Sequence, residues 1–216
     1  MENARNYQKE LDNLMSDEAN RGKRVLIHAC CAPCSSYCLL YLRPFFRVTV
    51  YYYNPNITEH PEYLKRVEEE KRLIGEYNKL DDGGFTIEYI DGNYEPEVFF
   101  EAVKGLEKEP EGGERCKKCF YLRLKSAGEV AKERDFDYFA TTLTLSPLKN
   151  TNTLNIIGEQ VAKEVGIEWL PSDFKKKDGY KRSIELSKEY DLYRQDFCGC
   201  GFSKAERARA KEEKNR

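Results

Sequence analysis

Long apolar runs are missing from this chain. Nothing in its 216 residues approaches the roughly 20 consecutive apolar positions that a membrane-spanning helix needs. A surplus of one charge is missing too: 36 lysines and arginines face 38 aspartates and glutamates, a net of −2. That balance excludes a histone-like arm and leaves room only for local basic patches. Residues 1–21 are polar and mixed in charge, without the pattern of a secretory leader. There is no internal repeat and no low-complexity tract. With 40% hydrophobic and 12% aromatic residues, the chain holds too many core formers to be disordered, despite 34% charged positions. These absences imply a folded protein of the cytoplasm with no membrane partner. Its length fits a single domain burying roughly 70% of its unfolded surface.

What is present in excess is cysteine. Eight cysteines fall into three groups: Cys30, Cys31, Cys34 and Cys38; Cys116 and Cys119; Cys198 and Cys200. Cytosolic thiols stay reduced, so tight groups separated by about 80 residues suggest ligands or redox thiols brought together by folding. Cys38 alone reads as a buried spectator.

Hydrophobic periodicity places these groups. Tyr7, Leu11, Leu14 and Met15 predict an amphipathic N-terminal helix. Residues 25–30 form a short apolar strand that runs into Cys31-Ala-Pro-Cys34, with Ser35 or Ser36 as the expected N-cap of the next helix. Strands are predicted over 48–54, 85–90, 138–145 and 167–170. Helices are predicted after Pro61 (Leu64, Val67, Ile74 and Tyr77 on one face), over 98–106, from Cys116 through Val130, and over 154–165. Strands alternating with helices argue an α/β fold with a mainly parallel sheet, whose active site lies beyond the carboxyl ends of the strands. His28 with Cys30 to Cys34, Asn54 to Asn56, and Thr141 to Ser146 with Lys149 all follow strands, so the informative residues converge on one edge.

Four thiolates such as Cys30, Cys31, Cys116 and Cys119 could hold zinc or a 4Fe–4S cluster. Adjacent cysteines are awkward around one tetrahedral ion but tolerable at separate cluster corners. Cys198-Gly-Cys200 allows a strained loop disulfide of the catalytic kind, or a pair of metal ligands. Residues 175–182 carry five positive charges to one negative, and residues 203–216 six to three. With Tyr190, Tyr193, Arg194 and Phe197 between them, this stretch suits phosphates and unstacked bases. The loop after the first strand is cysteine-rich where a nucleotide enzyme would carry glycines, which argues against ATP use.

Read in order, His28-Ala-Cys-Cys-Ala-Pro-Cys-Ser35, Tyr53-Asn-Pro-Asn-Ile57, Glu114-Arg-Cys-Lys-Lys-Cys-Phe-Tyr-Leu-Arg123, Thr141-Thr-Leu-Thr-Leu-Ser-Pro-Leu-Lys149, Asp173-Phe-Lys-Lys-Lys177 and Phe197-Cys-Gly-Cys-Gly-Phe-Ser203 resemble the QueH family of epoxyqueuosine reductases. The resemblance runs from about residue 23 to residue 203. It implies a HUP-like, Rossmann-like domain related to the PP-loop nucleotide enzymes. It also implies reduction of epoxyqueuosine in tRNA to queuosine, with the epoxide oxygen lost as water. By the same resemblance Cys30, Cys31, Cys116 and Cys119 are the 4Fe–4S ligands, and Cys198 and Cys200 a redox-active disulfide. Cys34 is then a surplus thiol, for an additional iron or for the core. Asn54, Asn56, Ser146, Lys149, Lys176, Lys177, Tyr193 and Arg194 are the candidate substrate-binding residues. The expected partners are tRNA carrying epoxyqueuosine and an electron donor. Residues 1–22 are expected to be a helical extension, 23–203 a single catalytic domain and 204–216 a basic tail. A zinc-stabilised RNA-binding module and a thiol–disulfide oxidoreductase are the competing readings.

Overall fold

The structure, a computed structural model, describes residues 5–214, and of Lys214 only the backbone. Residues 1–4 of the expected extension and 215–216 of the expected tail lie outside the described residues.

Five strands form one sheet: β1 (Arg24–His28), β2 (Arg47–Tyr52), β3 (Glu88–Asp91), β4 (Tyr138–Thr141) and β5 (Glu168–Trp169). Their order is β3-β2-β1-β4-β5 and every pairing is parallel, a Rossmann-like arrangement of the kind the alternation predicts. The helices are α1 (Tyr7–Ser16), α2 (Ala32–Leu42), α3 (His60–Tyr77), α4 (Pro96–Ala102), α5 (Glu114–Glu133), α6 (Thr151–Val165), α7 (Gly179–Glu189) and α8 (Gly201–Lys214).

Side-chain alternation along the strands feeds two cores. Val25 and Ile27 of β1, with Val48, Val50 and Tyr52 of β2, pack against α1, α2 and α3 through Leu11, Leu39, Leu42, Leu73 and Ile74. Leu26 and Tyr51 point the other way and join Phe139 of β4 against α5 and α6, through Leu124, Ala127, Leu154 and Val161. Covering both faces is what a parallel sheet requires, and it explains why β1 is buried from Val25 onward. Helix α1 belongs to this body: Leu11 is fully buried and the Tyr7 hydroxyl donates to Asn152 at 2.8 Å.

Local chemistry moved several boundaries. Helix α2 begins at Ala32, with Cys31 rather than Ser35 or Ser36 at its N-cap. Pro33 pre-sets the first turn, and both serines are buried inside the helix. The strand expected over 138–145 stops at Thr141, whose hydroxyl accepts from the amide of Leu143 and turns the chain into a 3₁₀ segment. The strand expected from Phe85 pairs only from Glu88, because Phe85 bonds to the Arg43 carbonyl and Ile87 to the Asn78 side chain. Leu64, expected on the inner face of α3, is 45% exposed. Residues 204–214 of the expected tail are helical, as part of α8, and α7 forms from part of the basic segment. Helix α6 ends at Gly166, whose φ of 75° closes the helix in the left-handed region. Among the described residues no helix is long and apolar enough to cross a membrane.

Candidate active site

The strand order reverses between β1 and β4, which places a crevice beyond their carboxyl ends. Residues 29–31 leave β1 there, and α2 starts immediately. The thiols of Cys30, Cys31 and Cys34 therefore stand at the positive end of a helix, their sulfurs all within 4.8 Å of one another. Cys30 and Cys31 are 3.8 Å apart. A group this close shares one proton deficit: hydrogen bonds from Cys31 and Cys34, aided by the charges of Arg123 and Lys149, hold the Cys30 thiol well below its usual range. Its neighbours move oppositely, and Cys31 is pushed up to about 12 by its bond with Cys30. Cys38, one helical turn further on, is buried in the core.

Behind the thiols lies a buried polar network. Arg123 of α5 is 1% exposed, and among the described residues no carboxylate pairs with it. Its Nη2 donates to Asn54 Oδ1 at 2.6 Å, its Nε to His28 Nε2 at 3.2 Å, and its Nη1 faces Cys119 Sγ at 4.0 Å. His28 Nε2 stands between the Arg123 Nε donor and the Tyr53 carbonyl, 3.1 Å away, and Nδ1 lies 3.0 Å from Thr141 Oγ1. Burial, then Arg123, lowers the His28 pKa to about 3, so the ring is neutral. Asn54 donates in turn to the Ala29 carbonyl at 2.8 Å, bracing the loop that carries the thiols.

Cys116 and Cys119 occupy the first turns of α5. Cys116 accepts from the Gly112 amide at 3.2 Å and packs against the cluster that holds Cys30 and Cys31. Cys119 is buried with Phe99, Val103 and Cys200, and that burial pushes its pKa up to about 12. Cys198 and Cys200 sit just before and at the start of α8, and all eight cysteines are free thiols in this structure. Burial pushes Cys200 up to about 11.

The cysteine-rich crevice opens into a cavity of about 250 Å³. Its walls carry Cys30, Cys31, Cys34 and Cys198 together with the cations Arg66, Lys149, Arg194 and Arg207. Larger surface grooves of about 530 and 610 Å³ contain no cysteine. Burial opposes the charge of half-buried Lys149, but the nearby thiols, Cys198 foremost, raise its pKa overall. Arg66 of α3 is 1% exposed, pairs with Glu62 at 2.6 Å, and donates to the carbonyls of Cys198 (3.2 Å) and Phe197 (3.4 Å).

Of the candidate substrate residues, Ser146, Lys149 and Arg194 line this cavity. Asn54 and Asn56 are buried behind it. The Tyr193 hydroxyl donates to Glu62 at 2.9 Å, Lys177 pairs with Asp12 at 2.7 Å, and Lys176 is exposed in the segment before α7. Sequence reasoning passed over Arg66, Glu111 and Arg207, all lining the cavity, and Glu70, buried near Cys30. Arg66 and Glu70 did leave a signal: both fall on the stripe of Tyr63, Val67, Ile74 and Tyr77, where a charge needs a reason.

Comparison with known proteins identifies the family. The family described as "Epoxyqueuosine reductase QueH" matches residues 25–206. A relative of that name from Streptococcus pyogenes serotype M1 is 46% identical over 179 residues, covering 83% of this chain and 69% of the relative. One from Staphylococcus epidermidis is 41% identical over 202 residues, covering 92% and 84%. One from Thermotoga maritima is 33% identical over 186 residues, covering 85% and 91%. The chain belongs to the QueH family of epoxyqueuosine reductases.

Proposed function

We propose that this protein reduces epoxyqueuosine in tRNA to queuosine in the cytoplasm, taking two electrons and two protons and releasing the epoxide oxygen as water. The observation that carries the reading is the convergence of Cys30, Cys31, Cys34 and Cys198 on one cation-lined cavity, in a chain of this family. Cys30, Cys31, Cys116 and Cys119 are the proposed holders of a 4Fe–4S cluster, with Cys34 left for an additional iron. The donor set fits: soft thiols at a helix N-terminus, an amide donating to Cys116, and a buried Arg123 that lacks a carboxylate and would be balanced by anionic sulfur. The corners of a cluster also explain why Cys116 and Cys119 need not approach the other thiols as closely as ligands to one ion must. When bound, the cluster supplies electrons singly.

The protein's own groups do the rest. Lys149 and Arg194 present positive charge where the epoxide oxygen becomes negative, which favours the opened form over the closed ring. Ser146 offers a hydroxyl at the same wall. Arg66 binds the Cys198 carbonyl, which holds the backbone of this cavity-lining residue in place. Cys198 and Cys200 are the proposed redox pair, which an electron donor resets after each turnover. Lys176, Lys177 and Tyr193 lie outside the cavity and belong to the reading as contacts to the rest of the tRNA, Asn54 as its inner bracing, and Asn56 as a buried polar group whose Oδ1 has no partner among the described residues.

The close spacing of Cys30, Cys31 and Cys34 also suits a single ion, which keeps a zinc-holding RNA-binding module as the second reading. Iron, sulfide and zinc analysis of anaerobically purified protein separates the two. Four irons with matching sulfide support the reductase, and stoichiometric zinc without iron contradicts it.

A further inference from the structure

The two thiols of the 198–200 loop face different surroundings. Cys198 is half-buried and lines the cavity beside Cys30, Cys31 and Cys34. Cys200 is 7% exposed and packs with Phe99, Val103 and Cys119 in a separate apolar cluster. Gly199 makes the divergence possible. Its φ is +113°, which side chains rarely adopt, and a Cβ there would stand 2.9 Å from Ile57 and 3.3 Å from Arg66. The loop is held on several sides: Arg66 binds the Cys198 carbonyl, the Thr58 amide donates to the Gly199 carbonyl at 3.3 Å, and the Cys198 amide donates to Ser203 Oγ at 3.2 Å. The Ser203 amide in turn donates to the Cys200 sulfur at 3.4 Å. Such a loop presents one sulfur to a ligand and keeps the other in reserve.

We infer that Cys198 is the thiol that opens the substrate's epoxide, and that Cys200 then closes the disulfide on it and releases the product. This rests on the reading that the substrate is an epoxide losing its oxygen as water. The Cys198 thiolate attacks one epoxide carbon: a C–S bond forms, the C–O bond breaks, and the electron pair stays on oxygen, which takes a proton. The Cys200 thiolate then attacks the Cys198 sulfur: S–S forms and C–S breaks. The released pair becomes the carbon–carbon double bond as the neighbouring C–O bond breaks, and hydroxide takes a proton and leaves as water. Two thiols and an epoxide thus give a disulfide, an alkene and water. The sulfurs lose two electrons, the carbons gain two, and the two thiol protons end in the water. Back-side opening also sets sulfur and oxygen on opposite faces, the arrangement from which the double bond forms most readily. The cations lining the cavity meet the charge that develops on oxygen.

The test uses the full-length, anaerobically purified protein and an anticodon stem-loop RNA carrying epoxyqueuosine, in buffer free of added thiol. Cys200→Ser should lose queuosine formation and accumulate a covalent complex whose mass equals protein plus one RNA. Digestion should map the modified nucleoside to Cys198. Cys198→Ser should form neither complex nor product. Cys200→Ala serves as a second variant, and iron content with the unfolding midpoint shows that each variant is folded. Wild type that converts the RNA while both Cys200 variants accumulate no adduct, or an adduct on another cysteine, overturns the assignment. So does product formation by Cys198→Ser at the wild-type rate. Failure of the wild type to convert the RNA would instead strike the reductase reading itself.

Discussion

Replacing Glu70 with glutamine should flatten the pH dependence of stability in a calculable way. Glu70 is fully buried on the inner stripe of α3, and neither carboxylate oxygen has a hydrogen-bond partner within normal geometry; the hydroxyl of its neighbour Ser35 has none either. Burial raises its pKa from 4.5 to about 8, with Ser35 opposing the shift. The folded protein therefore keeps this carboxyl protonated at neutral pH, whereas the unfolded chain releases the proton. A raised folded pKa contributes stability that is fully present below the unfolded value of 4.5 and is lost as pH rises through about 8. At about 1.4 kcal/mol per pH unit, raising the pH from about 5.5 to about 7.5 should destabilise wild type by about 2 kcal/mol more than Glu70→Gln. Urea unfolding at those pH values, with thiols kept reduced, measures the difference. Parallel stability profiles for the two proteins would refute the buried neutral carboxyl.

Three further outcomes are expected. Cys116→Ser and Cys119→Ser should each lose visible absorbance and iron, because a hydroxyl replaces a soft thiolate poorly; full iron content in either would remove it from the ligand set. Gly158→Ala should destabilise the domain by about 1–3 kcal/mol, since a Cβ there would lie 2.4 Å from the Trp169 ring, and an unchanged unfolding midpoint would show that the α6–β5 contact yields easily. Lys176→Ala should lower the salt slope of RNA binding by about one unit, and an equal slope would take that lysine off the RNA face.

The strands were legible because each is a short β-branched or aromatic run, and strand–helix alternation admits few arrangements other than a parallel sheet. The thiols were legible because grouped cysteines stand out against any background. Arg66 and Glu70 were harder to find, since Lys65-Arg-Val-Glu-Glu-Glu-Lys-Arg72 reads as a solvated charge run. Only their phase relative to Tyr63 and Val67 turns them inward. Asn54 and Asn56 pose the opposite problem of reading, since both are buried. Polar residues at a strand end read as ligand contacts, yet Asn54 spends its hydrogen bonds on Ala29 and Arg123. Helix α7 was hidden by its charge, because its buried stripe of Ser183, Leu186 and Ser187 is barely apolar.

Conversion of the substrate tests the central claim most directly. Anaerobically purified protein should be incubated with a chemical reductant and tRNA carrying epoxyqueuosine, and the digested nucleosides then separated and weighed. The account predicts that epoxyqueuosine disappears as queuosine appears, one for one, in protein that contains iron and sulfide. Iron-loaded protein that binds this tRNA and leaves the epoxide intact would contradict it.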